Sequence, residues 1–227
     1  MHIEPGVVDG AKLILSYATA TLSLGLVAKM AKDTIQNDGG PLSLAARSVV
    51  TTALVFAFFE VLPHHPVGVS EVHLILGSTL FLMFGAGAAS VGLAMGLLLQ
   101  GIFFAPFDLP QYGMNVTTLI VPLFVLTKVA ERLIPKKTAY VDVGYKQALM
   151  LSTAYQGGIV AWVGFWALYG HGLEATNLAN VAAFGGAYML VVVVEPLVDL
   201  AVLAAAKSLR RATENGLFNA RLHRALA

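Results

Sequence analysis

Apolar residues dominate this chain in long blocks separated by short polar breaks, and the blocks are too long for strands or for helices half-exposed to water. The pattern predicts helices over about 12–27, 42–62, 74–84, 87–104, 114–126, 148–169 and 178–206, followed by a basic tail, 207–227. The first block carries Ser16, Tyr17, Thr19, Thr21 and Ser23, which suits a helix packed among others. A polar loop with Lys29, Lys32 and Asp33 is read after it. The apolar stretch from Leu74 to Phe104 is interrupted only by Gly85-Ala86-Gly87. Ala88, Gly92 and Gly96 stand four apart, a spacing that lets helix backbones approach closely.

Composition supports a membrane reading, with 57% hydrophobic and 12% charged residues in a chain of 227, against about 25% charged in an average soluble domain. All 227 residues are read as a single integral membrane domain, an all-α polytopic bundle of about seven transmembrane helices, two of them short. Of the 14 basic residues all but Lys12 fall beside the first polar loop (Lys29, Lys32, Arg47), in the connection 127–147 (Lys128, Arg132, Lys136, Lys137, Lys146) or in the tail (Lys207, Arg210, Arg211, Arg221, Arg224). Because Lys and Arg concentrate on the cytoplasmic side, the connections 63–73, 105–113 and 170–177 are expected outside. The amino terminus is then outside and the carboxyl terminus inside. Both ends of 74–104 lie outside, so the chain must enter and return at Gly85-Ala86-Gly87, and the first leg is too short to span a ~30 Å core.

Net charge of +1 gives no reason to expect nucleic acid as partner, and the absence of cysteine excludes disulfides, thiolate metal sites and cysteine nucleophiles. Residues 1–10 carry Glu4 and Asp9 but no Lys or Arg, unlike a cleavable signal. Met1 is therefore expected to stay, and the bulk of His2 disfavours its removal. There is no GxxxxGK[ST], GxSxG or HExxH motif, so any transport energy must come from an ion gradient or another subunit.

Met1 and His2 carry a distinctive chemistry. The free amine of residue 1 with the backbone nitrogen and imidazole of residue 2 can close two fused chelate rings around one ion. Planar nitrogen donors suit Ni(II), Co(II) or Cu(II) rather than Mg, Ca or structural Zn. A fourth nitrogen is available on the same side from His64, His65 or His73. His73 is the strongest candidate because it immediately precedes a helical leg, while His64 and His65 lie between prolines as possible extra ligands. Glu60, Glu71 and Asp108 are candidate acceptors for imidazole N–H groups. Gln100 and Asn115 flank an outer loop and are positioned to brace its backbone. Glu195 and Asp199 share a helix face with Pro196 between them. Glu195 is a functional candidate at membrane depth, expected to meet a basic residue or an amide such as Gln100 or Asn115, and Asp199 is read as interfacial.

Several segments together resemble the CbiM/NikM family, the substrate-binding (S) components of energy-coupling-factor (ECF) ABC transporters for cobalt and nickel. They are Met1-His2-Ile3-Glu4-Pro5-Gly6, Ser70-Glu71-Val72-His73-Leu74 with Gly77, Leu97 to Phe104, Gly113-Met114-Asn115-Val116, and Glu195. The resemblance implies metal ligation by Met1, His2 and His73, loop bracing by Gln100 and Asn115, and Ni2+ or Co2+ as transported substrate. It further implies a coupling (T) subunit, two ATPase subunits, often a small accessory membrane protein, and residence in the cell membrane. The segment Ala105-Pro106-Phe107-Asp108-Leu109-Pro110 and the pair His64-His65 depart from the family's usual pattern. Two other readings remain open on the residues: a membrane enzyme built on His64, His65 and His73, and a gradient-driven carrier using Glu195 and Asp199.

Overall fold

The computed structural model describes residues 3–135 and 138–214, with side chains to residue 210. It is an all-α bundle of α1 (Leu13–Asn37), α2 (Gly40–Glu60), α3 (Gly77–Phe103), α4 (Tyr112–Leu133), α5 (Tyr145–His171) and α6 (Ala175–Glu214). Among the described residues these give six spans long and apolar enough to cross a membrane. The seven helices expected from sequence are consistent with this, because α3 consists of two legs that meet at a single non-helical residue, Gly85 (φ 83, ψ 163). That region of backbone space belongs to glycine, so one residue suffices for the turn and helix resumes at Ala86.

The expected entry and return of α3 is present. At one end His73 stacks on Phe59 with ring centroids 4.6 Å apart, and Gln100 Nε2 donates to the Phe59 carbonyl at 3.4 Å. At the other end Arg47 donates to the Phe84 carbonyl at 3.0 Å and to Asp38 at 2.7 Å. Arg47 and Phe59 are about 18 Å apart along α2. Residues 73 and 100 therefore share one end of the bundle, and the Gly85 turn lies at the other. The returning leg packs tightly on α2: a Cβ at Gly92 would lie 2.4 Å from Thr51 Oγ1 and one at Gly96 2.6 Å from Val55 Cγ1. The small-residue spacing thus acts in packing.

Three helices run on past the ends that the sequence pattern predicts. α1 continues to Asn37, so the supposed polar loop is its last turns, with Met30 and Thr34 buried and Lys29 paired to Asp33 at 2.8 Å on the exposed face. α4 runs on to Leu133 with Lys128 paired to Glu131 at 2.7 Å. α6 reaches Glu214, so the first part of the basic tail is helical; Lys207 donates to the Val143 carbonyl and Arg210 to Asp142, each at 2.7 Å. Charged residues end an apolar run but not a helix, because backbone pairing continues and i,i+3 or i,i+4 ion pairs assist it. Lys136, Lys137, Arg221 and Arg224 lie outside the described residues.

The end that holds His73 also carries an antiparallel hairpin, β1 (His65–Val67) with β2 (Ser70–Val72). Ile3 forms a further antiparallel bridge to Ser70. The core beneath is built from Val55, Phe59, Leu93, Leu97, Ile120, Tyr155 and Trp166, among others.

Candidate metal centre

Ile3, Val7 and Val8 are apolar in an otherwise polar opening, and all three are buried, Ile3 to 1% exposure. Their burial threads the amino-terminal segment into the bundle. The Ile3 N–H donates to Asn115 Oδ1 at 2.8 Å, and the Glu4 N–H to the Val69 carbonyl at 3.1 Å. Further along, His171 Nε2 lies 3.0 Å from the Gly6 carbonyl oxygen, and Lys12 Nζ donates to the Gly170 carbonyl at 2.5 Å. Gly170 is indispensable here: a Cβ on it would stand 1.7 Å from the Val7 carbonyl oxygen. Gly170→Val is therefore expected to push the segment out of register while leaving α5 helical. Faster proteolysis near the amino terminus and metal affinity at least tenfold weaker would record this.

His73 follows β2, three residues after the Ser70 that bridges Ile3, and is only 2% exposed. Phe59 covers one face of its ring. The end of α2 that carries Phe59 is held in turn by Gln100, whose Nε2 also lies 3.3 Å from Glu60 Oε2. Gln100 thus braces α2, and Asn115 braces the amino-terminal segment; neither holds the outer loop through its side chain in the described hydrogen bonds. Gln100 Oε1 and Asn115 Nδ2 are buried without a hydrogen-bond partner among the described residues. Asp108, buried in the 3-10 turn Pro106–Gln111, lines a cavity of about 10 Å³ with Asn115, Gly101 and Tyr112.

Burial, and then the charge of Glu71, push the Glu4 carboxyl above its ordinary value. The other histidines of the hairpin are placed differently. His64 turns Nδ1 to the Leu62 carbonyl at 3.1 Å, and His65 is exposed in β1 opposite Val72. Met1 and His2, the proposed chelating pair, lie outside the described residues. No group of three or more His, Cys, Asp or Glu side chains able to hold a metal occurs among the described residues.

Glu195 and Asp199 correct the sequence reading. Asp199 is buried, not interfacial, and accepts from Ser78 Oγ at 2.5 Å and from the Thr79 hydroxyl. Glu195 is fully buried; it meets neither Gln100 nor Asn115 but accepts from the Ile75 N–H and the Gln156 side-chain amide. Tyr188 Oη donates to Gln156 Oε1 at 2.6 Å. Phe59, Gln156, Tyr188 and Gly170 were not singled out from sequence. Aromatic, amide and glycine residues in an apolar helix carry no signal until a partner from another helix is known.

No curated protein matches the chain significantly. Two solved structures share its fold: a transition metal transporter (TM-score 0.67, 17% identity, covering 99% of this chain and 100% of that one) and a truncated transition metal transporter (TM-score 0.65, 16% identity, covering 90% and 97%). The family model for the cobalt uptake substrate-specific transmembrane region, CbiM, matches residues 2–213. The chain is a multi-pass membrane protein and belongs to the CbiM family of cobalt-uptake transmembrane components.

Proposed function

We propose that this chain captures Ni(II) or Co(II) from the external side of the cell membrane as the substrate-binding component of an ECF-type transporter. The ion is held in a plane of four nitrogens: the Met1 amine, the backbone and imidazole nitrogens of His2, and the His73 imidazole. The observation that carries this reading is the burial of Ile3 between Ser70 and Asn115. Residue 2 is one Cα–Cα step of 3.8 Å from Ile3, and His73 is at most ~11 Å of chain from Ser70. This supports a ligand set drawn from the amino terminus and from the segment that follows β2. Glu4 and Glu71 supply negative charge beside it, which raises the local concentration of a dication.

A coupling subunit and two ATPase subunits would supply the energy, with a small accessory membrane protein as a further partner. The basic residues at the Gly85 end of the bundle support an orientation with that end in the cytoplasm. Reconstituted alone in vesicles, the chain should bind metal at the outer face without accumulating it. Accumulation with no ATPase present would overturn the ECF assignment.

Equilibrium titration of protein with an unextended amino terminus tests the capture site itself. One Ni(II) per chain with the absorption of a planar complex is the expected result, and failure to bind removes the reading. The amine, amide and imidazoles all shed protons on ligation, so affinity should fall about 100-fold or more per pH unit below neutrality. A pH-independent Kd between pH 6 and 7 would rule out amine and amide ligation.

A further inference from the structure

The two carboxyl groups of α6 are buried in the bundle, and metal ligation makes no direct use of them. A buried carboxyl is costly unless its oxygens find donors, and here most of the donors come from one stretch of chain. Glu195 receives the Ile75 N–H, and Asp199 receives the hydroxyls of Ser78 and Thr79. The four-residue spacing of the two carboxylates on one helix face matches that stretch of chain. Leu76, inside it, adopts a left-handed backbone (φ 54, ψ 31) that a leucine rarely takes unaided. Glu195 thus takes a backbone N–H just ahead of α3 and Asp199 takes two hydroxyls of its first turn. Gln156, itself held by Tyr188, occupies the other oxygen of Glu195 and keeps the carboxyl from turning away.

His73 stands two residues before Ile75. Phe59 covers one face of its ring, and a planar complex requires its fourth nitrogen within about 0.5 Å of its place. We propose that Glu195 and Asp199 are positioning residues of the metal site, a latch that holds the Ile75–Thr79 stretch through the Ile75 N–H and the Ser78 and Thr79 hydroxyls, so that His73 stays in the ligand plane and sets how long the ion remains bound. This rests on the metal-capture reading above.

The test is Ni(II) release from the full-length protein with its native terminus, followed by decay of the planar absorption band after addition of excess EDTA. Glu195→Leu removes the acceptor for Ile75 and should speed release about tenfold or more, with the band position unchanged in the loaded protein. Glu195→Gln keeps an oxygen facing Ile75 and should restore release to within about threefold of wild type. Thr79→Val, which removes one donor to Asp199 and leaves both carboxylates in place, should speed release several-fold and decides the matter if Glu195→Leu does not fold. Val191→Ala, a core truncation one turn away on the same helix, should lower Tm and leave release unchanged. Wild-type release from both Glu195→Leu and Thr79→Val overturns the latch, as does acceleration by Val191→Ala equal to theirs. Wild-type protein that takes up no Ni(II) overturns the capture reading and the latch with it.

Discussion

Adding any residue ahead of Met1 is expected to abolish tight metal binding while the protein still folds. The extension turns the amine into an amide, whose nitrogen binds only after losing a far less acidic proton, and it puts a further residue where the His73 imidazole would complete the plane. Losing an outer partner of a metal ligand already costs ~10- to 100-fold; losing the amine donor itself should exceed that. Folding should survive because the anchors of the segment begin at Ile3, with its bonds to Asn115 and Ser70. His2→Ala should behave in the same way, since it removes the imidazole that closes the second ring. The measurement is Ni(II) titration beside the Tm of the metal-free protein, made before and after proteolytic removal of the extension. Recovery of binding on cleavage is the expected result; normal binding by the extended form would dismiss the amine as a ligand.

His73→Phe comes second in expected size. It keeps an aromatic ring against Phe59, whose stacking is worth ~0.5–1.5 kcal/mol, and so separates the loss of a donor from the loss of packing. Three nitrogens remain and water takes the fourth position, so affinity should drop by about 100-fold, the energy of a strong charge-assisted contact, without vanishing. The ligand-field band should move to lower energy because water is a weaker donor than imidazole. An unchanged band and Kd would assign the fourth position elsewhere, and the same measurement on His64→Ala and His65→Ala would then locate it. Those two variants should otherwise match wild type, since His64 is engaged with the Leu62 carbonyl and His65 faces outward.

The structure amended the interpretation of particular residues unevenly. The in-and-return path of 74–104 was legible because basic residues mark sides and parity does the rest. The single-residue turn at Gly85 was not, since three small residues in a row do not say which one takes the unusual φ. Asn115 stands out in the sequence as an amide at a helix start, but its partner does not: it is the Ile3 N–H, 112 positions away, that donates to it. Asp199 lies near the end of the last apolar run, which points to an interface, yet it is buried against Ser78 and Thr79 of α3.

By itself the sequence determined the all-α bundle and its membrane nature, and it offered Met1, His2 and His73 as candidate nitrogen donors. These follow from hydropathy over the length of a span and from the identity of side-chain atoms, which are local properties. Tertiary structure alone decided that the amino-terminal segment is threaded between Asn115, the hairpin and Gly170. It also decided that α6 reaches across to grip the start of α3 through Glu195 and Asp199. Both depend on pairings between residues far apart in the chain, and no periodicity records which distant donor a buried acceptor will meet.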